Sequence, residues 1–445
     1  MTRKNGHKST MIKLSLSLAG VSLVASGCGQ QPPSNSASGS GSVSKTTTIS
    51  FMEVMSSGKL QTAMKSLTSQ FEKSHPNIQV NLVPEPSYSV LETKIEAVVA
   101  AGDPPTMAQA YESWANGYAQ AGAIIPLTSF VSGKDGISAS AQKDFWPQLW
   151  QDQFLPDGKM WMLPFNKSDF VMYYNQNMLT AQHLSVPTTW TQFSEVCQHL
   201  TNTAQNHWGV SIDPGSASGA SNGTYLYVAL IRAFGGHLMQ NGKPDFNSPQ
   251  AQQAMQYLLH LYQSGALKLG TNYPGQTALG AGHSGFDLST IASYYYNEQA
   301  IGGKFKMGVA ALPQGPAGQG NVMQGTNLVI FSKATPTQQQ AAWTFMKWLT
   351  EPQQTAYWAS HTGYLPVRQS AIPLMSSYYA THPYQKIAAD ALAEAKPTPP
   401  YVGMDQAIAA LGNALQAVLT DHTPIPVALS KAQTQAEAAL SGQPS

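Results

Sequence analysis

Charged side chains are scarce in this chain: Asp, Glu, Lys and Arg make up 11% of its 445 residues, against roughly 25% in an ordinary soluble protein. They sum to a formal +1. With 24 Lys and Arg spread thinly along the chain, no concentrated positive field exists to hold a polyphosphate backbone, which excludes nucleic acid as a partner. Cysteine is almost absent, Cys28 and Cys197 being the two present, so a disulfide framework, a zinc cluster and a CxxC redox pair are excluded. The catalytic and phosphate-binding signatures HExxH and GxxxxGK[ST] are missing, and Gly320 to Gly325 has the spacing of a phosphate loop but runs into Thr326 without the lysine. The eleven histidines do not cluster at metal-ligand spacing, so neither a metal nor a cofactor is expected. With 42% hydrophobic residues the chain can bury one large core or two medium ones, which excludes a disordered protein.

What is present begins with a compartment signal. Arg3, Lys4, Lys8 and Lys13 precede and enter the apolar run MIKLSLSLAGVSLVA, the order of a secretory signal; the run is too short and too serine-rich for a permanent membrane span. A cysteine follows Ala25-Ser26-Gly27 directly, and this junction resembles a bacterial lipobox, with Ala25 where leucine is usual. The resemblance implies that residues 1–28 are a lipoprotein signal in which Cys28 becomes the lipidated first residue, its acyl chains anchoring the protein at the outer face of the cell membrane. Residues 29–44, GQQPPSNSASGSGSVS, have no apolar face to bury and read as a flexible tether.

From Lys45 the pattern is globular. TTTISFMEV (46–54) reads as a strand, and Leu60, Met64, Leu67 and Phe71 form a helical stripe ended by His75-Pro76. IQVNLV (78–83) reads as a second strand, Leu91, Ile95 and Val98 or Val99 as a second stripe, and TMAQAYESW as a third strand running into polar residues. Strands alternating with helices predict a parallel sheet with crossover helices, whose ligands bind beyond the carboxyl ends of the strands, where Tyr88 and Glu112 fall. MWMLPFNKSDFVMYYN (160–175) is apolar and interrupted by Pro164, as in a segment passing from one lobe to another. A helix-rich region follows to about 305, then strands at 306–313 and 324–331, a Trp-rich helix, and an Ala-rich helical tail over 405–440. Cys197 reads as a core residue; Trp343, Trp348 and Trp358 read as core more readily than as site, and one of Tyr294-Tyr295-Tyr296 could stack on a ligand. A competing, catalytic reading rests on Gly219-Ala220-Ser221-Asn222-Gly223, a formal GxSxG after the strand WGVSI; a nucleophile elbow needs a sharp turn there, whereas this serine sits in a long Ser/Gly-rich loop.

Three stretches together, LPFNKS (163–168) leading into VMYYN (171–175), then PTTW (187–190), then TGYLPV (362–367), resemble the family 1 extracellular solute-binding proteins of ABC importers, most closely their glycerol-3-phosphate and sugar-binding branch. The resemblance covers about 45–440. It implies an α/β, two-lobed periplasmic-binding-protein-like fold with a hinge, each lobe a mostly parallel sheet flanked by helices, the first lobe taking 45–165 and 324–362 and the second 172–322 and 366–440. It implies a monomer that is not an enzyme, that closes on a small-molecule solute, and whose closed shape is read by the permease subunits. Carried over by position, the cleft residues are Tyr88, Glu112, Ser168, Tyr225, Ser293, Gly325, Thr326 and Tyr364: an aromatic face or hydroxyl at Tyr88, a carboxylate for sugar hydroxyls at Glu112, and backbone N–H groups at Gly325 and Thr326. Trp114 is added as a stacking face beside Glu112. The glycerol-phosphate binders carry an arginine where this chain reads TPPYVGM (398–404); without that cationic fork a phosphate dianion loses its usual partner, so a neutral carbohydrate leads over glycerol-3-phosphate or a glycerophosphodiester, with Tyr401 as a stacking replacement. A surface solvated by amides and hydroxyls gains little net charge when carboxylates protonate, which predicts stability that does not fall steeply between about pH 7 and pH 4.

Overall fold

The computed structural model describes residues 46–215 and 221–441. Cys28, the tether, and Gly219-Ala220 of the GxSxG stretch lie outside them. The chain begins with strand β1 (Thr47–Glu53), helix α1 (Gly58–Ser74), strand β2 (Ile78–Pro84), helix α2 (Tyr88–Ala100), strand β3 (Met107–Ala110) and helix α3 (Glu112–Gln120). In α1 the buried side chains are Ala63, Met64, Leu67, Thr68 and Phe71, the one-sided stripe of an amphipathic helix. Ser87 caps α2, its hydroxyl accepting from the Val90 N–H at 3.3 Å. β1 pairs in parallel with both β2 and β3, so the carboxyl ends of all three strands open on one edge, where Tyr88 and Glu112 begin their helices.

Strand β4 (Leu163–Asn175) runs unbroken through Pro164, against the expected interruption. Pro164 sits opposite Asn327 at a register shift in the ladder, and an irregular position tolerates a residue that cannot donate. Strands β5 (Trp208–Ile212), β6 (Met239–Gln240), β7 (Lys243–Pro244), β8 (Leu267–Leu269), β9 (Ser284–Thr290), β10 (Met307–Ala311) and β11 (Met323–Ile330) follow. Among the described residues nine strands form one sheet in the order β2-β1-β3-β11-β4-β9-β5-β8, with β10 also on β4, while β6 and β7 make a separate ribbon. The first half of β4 pairs with β11, and its second half with β9 and β10. β5 lies parallel to β8 and β9, so this end of the sheet has its own carboxyl edge.

Two large apolar cores flank the sheet. One gathers Ile49, Phe51, Phe71, Phe145, Phe165, Trp343, Phe345 and Trp358; the other gathers Phe170, Trp190, Phe193, Cys197, Tyr227, Phe246, Phe286 and the C-terminal helices. A smaller cluster holds Leu91, Ile95, Trp114 and Tyr118. Trp343 and Trp358 are fully buried and Trp348 partly so; Cys197 is buried, and burial pushes its thiol pKa up. The Ala-rich tail is two helices, Met404–Thr420 and Ile425–Leu440, divided at Asp421–Pro424, where His422 adopts φ of 56°. Among the described residues no helix is long and apolar enough to cross a membrane.

Candidate functional site

The residues that follow β3 meet β11, the helix Asn222–Ala233 and the 398–405 segment around a cavity lined by Tyr111, Glu112, Tyr225, Gln324, Gly325 and Asp405 among others. Its volume is about 20 Å³, room for one water rather than a sugar ring. Three expected residues, Glu112, Tyr225 and Gly325, therefore share a wall, although they lie far apart in the chain. Gly325 has φ of 105°, and a Cβ there would fall 1.9 Å from the Asn166 carbonyl oxygen; no side chain fits, because β4 and β11 come together tightly at this point.

Behind that wall lies a buried ion triad that sequence reasoning missed. Lys167 Nζ donates to Glu112 Oε1 at 2.7 Å and to Asp152 Oδ2 at 3.0 Å, and Asn327 Nδ2 donates to the same Glu112 oxygen at 2.8 Å. Burial alone would raise the Glu112 carboxyl, but the Lys167 ammonium and the surrounding hydrogen bonds hold it below the usual carboxylate range. Asp152 goes the other way: burial, then the neighbouring Glu112 charge, pushes it well above that range. The two carboxyls share one ammonium and are driven apart, Glu112 downward and Asp152 upward. Of the Glu112 carboxylate expected to accept from a ligand, Oε1 is committed to Lys167 and Asn327.

A second network joins Tyr88, Thr326 and Tyr364. Asn166 Nδ2 donates to the Tyr88 hydroxyl at 2.9 Å, and the Tyr88 and Tyr364 hydroxyls are 3.3 Å apart. Gln109 Nε2 donates to Asn166 Oδ1 at 3.1 Å and to Thr326 Oγ1 at 3.0 Å. The Thr326 N–H donates to Asn166 Oδ1 at 3.2 Å, so it is not the free ligand donor that was expected; the antiparallel pairing of β4 and β11 puts an amide side chain in its path. Tyr111, also missed, stands between Tyr88 and Trp114, with ring centroids 5.2 and 5.0 Å away.

Four expected residues sit elsewhere. Trp114 is buried in the small core with Tyr118 and Phe331 and is not among the cavity walls. Ser168 is buried on β4, opposite Gln324. Tyr401 packs against the second core, and its neighbours Thr398 and Pro399 line the cavity in its place. Ser293 lines a different, larger pocket at the carboxyl edge of β5 and β9. The acid that faces the cavity from the tail is Asp405, one residue past the segment scanned for an arginine; its Oδ2 accepts from Ser113 Oγ at 2.6 Å, and burial raises its pKa. Asn116 Nδ2 donates to the Pro400 carbonyl at 2.6 Å, so α3 grips this segment twice. An arginine holds it from the other side: Arg232 donates to the Lys396 and Pro397 carbonyls, each at 2.8 Å.

The GxSxG serine has a structural role. Ser221 is the N-cap of the helix Asn222–Ala233 in a reciprocal capping box with Thr224, and its hydroxyl donates to the Asp213 carbonyl at 2.6 Å. No histidine is among its partners. Among the described residues no group of His, Cys, Asp and Glu could hold a metal ion.

Comparison with known proteins agrees with this architecture. The family described as bacterial extracellular solute-binding protein matches residues 66–398. The sn-glycerol-3-phosphate-binding periplasmic protein UgpB of Pectobacterium atrosepticum is 24% identical over 376 residues, covering 78% of this chain and 80% of its own. Among solved structures, UgpB of Mycobacterium tuberculosis in complex with glycerophosphocholine superposes with a TM-score of 0.78 at 21% identity, covering 88% of this chain and 98% of its own. The GacH receptor of Streptomyces glaucescens, solved unliganded and with acarbose, gives 0.76 at 18% identity, over 90% of this chain and 100% of its own. The chain belongs to the bacterial extracellular solute-binding proteins, with the α/β periplasmic-binding-protein fold, and is a non-enzymatic solute-binding component of an ABC importer.

Proposed function

We propose that this protein captures a neutral carbohydrate in the cavity between α3, β11 and the 398–405 segment and delivers it to a membrane permease. The observation that carries this reading is electrostatic. The cavity wall holds the carboxylates Glu112 and Asp405 together with Tyr111 and Tyr225, and no Lys, Arg or His is among its described lining residues. The nearest cation, Lys167, is already shared between two carboxylates. Arg232 and Arg368 spend their guanidinium groups on backbone carbonyls. A phosphate dianion would meet carboxylates without a compensating fork, whereas sugar hydroxyls donate to carboxylates and apolar sugar faces stack on aromatic rings. Relatives bind both chemistries, glycerol-3-phosphate and glycerophosphocholine in the UgpB proteins and acarbose in GacH; the charge of the wall is what supports the neutral sugar here.

Entry of a sugar requires the walls to part. The two lobes (45–165 with 324–362, and 172–322 with 366–440) would separate at β4 and β11, breaking the Ser113–Asp405 and Asn116–Pro400 bonds and closing again around the ligand. The expected result of a thermal-shift panel of mono- and oligosaccharides, glycerol-3-phosphate and glycerophosphocholine is stabilisation by a sugar, since a ligand selective for the folded state raises stability by mass action. Strong stabilisation by glycerol-3-phosphate alone would sink the reading. We place the protein at the outer membrane face through a lipid on Cys28; a Cys28→Ala variant should then leave the membrane fraction, and one that stays there refutes the anchor.

A further inference from the structure

We propose that Arg232 is a positioning residue for solute binding: without touching the solute, it holds the 396–405 segment in register with Tyr225 and so assembles one wall of the cavity at Glu112. The inference rests on the reading above that the solute binds in that cavity, and not on the solute being a sugar. Arg232 is not among the lining residues of the cavity, whereas Tyr225, Thr398, Pro399 and Asp405 are.

The need for such a residue is written in the segment itself, which begins Lys396-Pro397-Thr398-Pro399-Pro400. Its prolines have no N–H, so it offers carbonyls but few donors, and no regular ladder can fix it. Its contact with the sheet is a single bridge beside Val322: the Met323 N–H donates to the Lys396 carbonyl at 2.9 Å, and the Lys396 N–H to the Asn321 carbonyl at 3.1 Å. Beyond that bridge the carbonyls depend on donors from elsewhere. Arg232 supplies them, Nη1 donating to the Lys396 carbonyl and Nη2 to the Pro397 carbonyl, each at 2.8 Å, with the Asn321 carbonyl 3.4 Å from Nη1. Pro397 has no other donor among the described residues. Two nitrogens of one planar fork on successive carbonyls fix the direction of the chain as well as its place, which a lysine ammonium cannot do.

One helix carries both partners. Tyr225 and Arg232 belong to the helix Asn222–Ala233, two turns and about 10 Å apart on one face. The distance from the Tyr225 ring to the gripped carbonyls is therefore set by a rigid element, and Thr398 and Pro399 follow those carbonyls directly into the cavity wall. The grip lies where the chain passes between the two large cores: Met323 and Ala395 belong to the core of Phe51 and Trp343, while Val322 and Met404 belong to that of Trp190 and Phe286. Asn321 makes this point firm. Fully buried, it accepts at Oδ1 from the Phe170 and Val322 N–H groups at 3.1 and 2.7 Å and donates from Nδ2 to Asp169 Oδ2 at 3.0 Å. When the lobes part, the Ser113–Asp405 and Asn116–Pro400 bonds break and the Arg232 bonds stay, so the segment travels with Tyr225 and is in place when the solute arrives.

The test combines hydrogen exchange of the unliganded full chain with calorimetric titration of the solute that most stabilises wild type in the thermal-shift panel. The variants are Arg232→Met, Arg232→Lys and, as a control, Arg368→Lys, altered at a buried arginine that also donates to backbone carbonyls, those of Thr350 and Ala141. Peptides spanning 396–405 should exchange about tenfold faster in Arg232→Met, less so in Arg232→Lys, and as in wild type in Arg368→Lys. Affinity should fall about tenfold in Arg232→Met, by an intermediate factor in Arg232→Lys, and not at all in the control. In a Tyr225→Ala background Arg232→Met should cost much less affinity, because the ring that the segment is held against is gone. Melting curves report folding, and Arg232→Lys carries the test if Arg232→Met does not fold. Unchanged exchange, faster exchange with wild-type affinity, an equal loss of affinity in Arg368→Lys, or losses that simply add to those of Tyr225→Ala would each overturn the positioning role. Wild-type affinity in Tyr225→Ala, or a wild type that binds nothing in the panel, sinks the cavity reading instead; exchange by itself then decides the grip, faster exchange in Arg232→Met supporting it and unchanged exchange overturning it.

Discussion

Replacing Lys167 with Met should cost about 3–5 kcal/mol of unfolding free energy, because removing one partner of a buried ion pair strands the other charge. The ammonium is 1% exposed at the side chain and lies 2.7 Å from Glu112 and 3.0 Å from Asp152. Without it Glu112 retains Asn327 as a donor but stands beside a second carboxyl in a dry environment. Guanidinium unfolding measures the loss, and a change below about 1 kcal/mol would mean that water solvates the triad. The double variant Lys167→Met with Glu112→Gln should recover much of the loss, since no charge is then left unpaired. Sugar binding should fall with the single variant as well, because Lys167 faces Gly325 across the β4–β11 ladder and positions Glu112 at the cavity wall.

Acidification from about pH 7.5 to pH 5 should stabilise the protein. Burial, opposed by the Met55 N–H and assisted by the Glu85 charge, raises Glu53 from 4.5 to about 7. Glu92 rises to about 7 by burial and by repulsion from Asp405 and Glu96. Asp152, Asp169, Asp287 and Asp405 are raised as well, burial being the first cause in each. Each of these carboxyls binds its proton more tightly folded than unfolded. The penalty for ionising Glu53 and Glu92 in the folded state is therefore absent below their unfolded value of 4.5 and complete above about 7. For Glu53, 1% exposed, that is worth about 3 kcal/mol across the window; Glu92 is partly solvated and adds less. Glu112, held low by Lys167, has the opposite sign, but its contribution is lost only below 4.5. Melting temperature should accordingly rise by several degrees toward pH 5, and Glu53→Gln should flatten the curve. A melting temperature that falls between pH 7.5 and pH 5 would refute both this assignment and the acid tolerance inferred from the sparse charge.

Much of the fold was legible because it is locally encoded. The β-branched and aromatic run of β1, the stripe of α1 and the stop at His75-Pro76 are each local signals of one element, and the alternation of elements implies parallel strands with a common carboxyl edge. That edge placed Tyr88 and Glu112 at the starts of α2 and α3 without reference to any relative. Gly325 and Tyr364 came instead from the family resemblance, carried over by position, and from no local pattern. Pro164 misled for a local reason too: its effect on a strand depends on the partner, and only the register shift opposite Asn327 shows that no regular ladder bond was needed there.

By itself, then, the sequence determined the α/β class, the order of the first elements, the absence of a polyanion-binding field, and the scarcity of charge that makes each buried carboxylate consequential. Tertiary structure alone decided which groups remain free. Lys167 meets Glu112 across 55 residues of chain and Ser113 meets Asp405 across 292. Those meetings follow from the antiparallel register of β4 on β11 and from the return of the tail over α3. Periodicity describes how one element faces its surroundings, whereas a hydrogen bond between distant elements depends on how the whole sheet is ordered. For that reason the Thr326 N–H and one Glu112 oxygen looked available from sequence and are occupied, while Asp287, which sequence passed over, lines an open pocket.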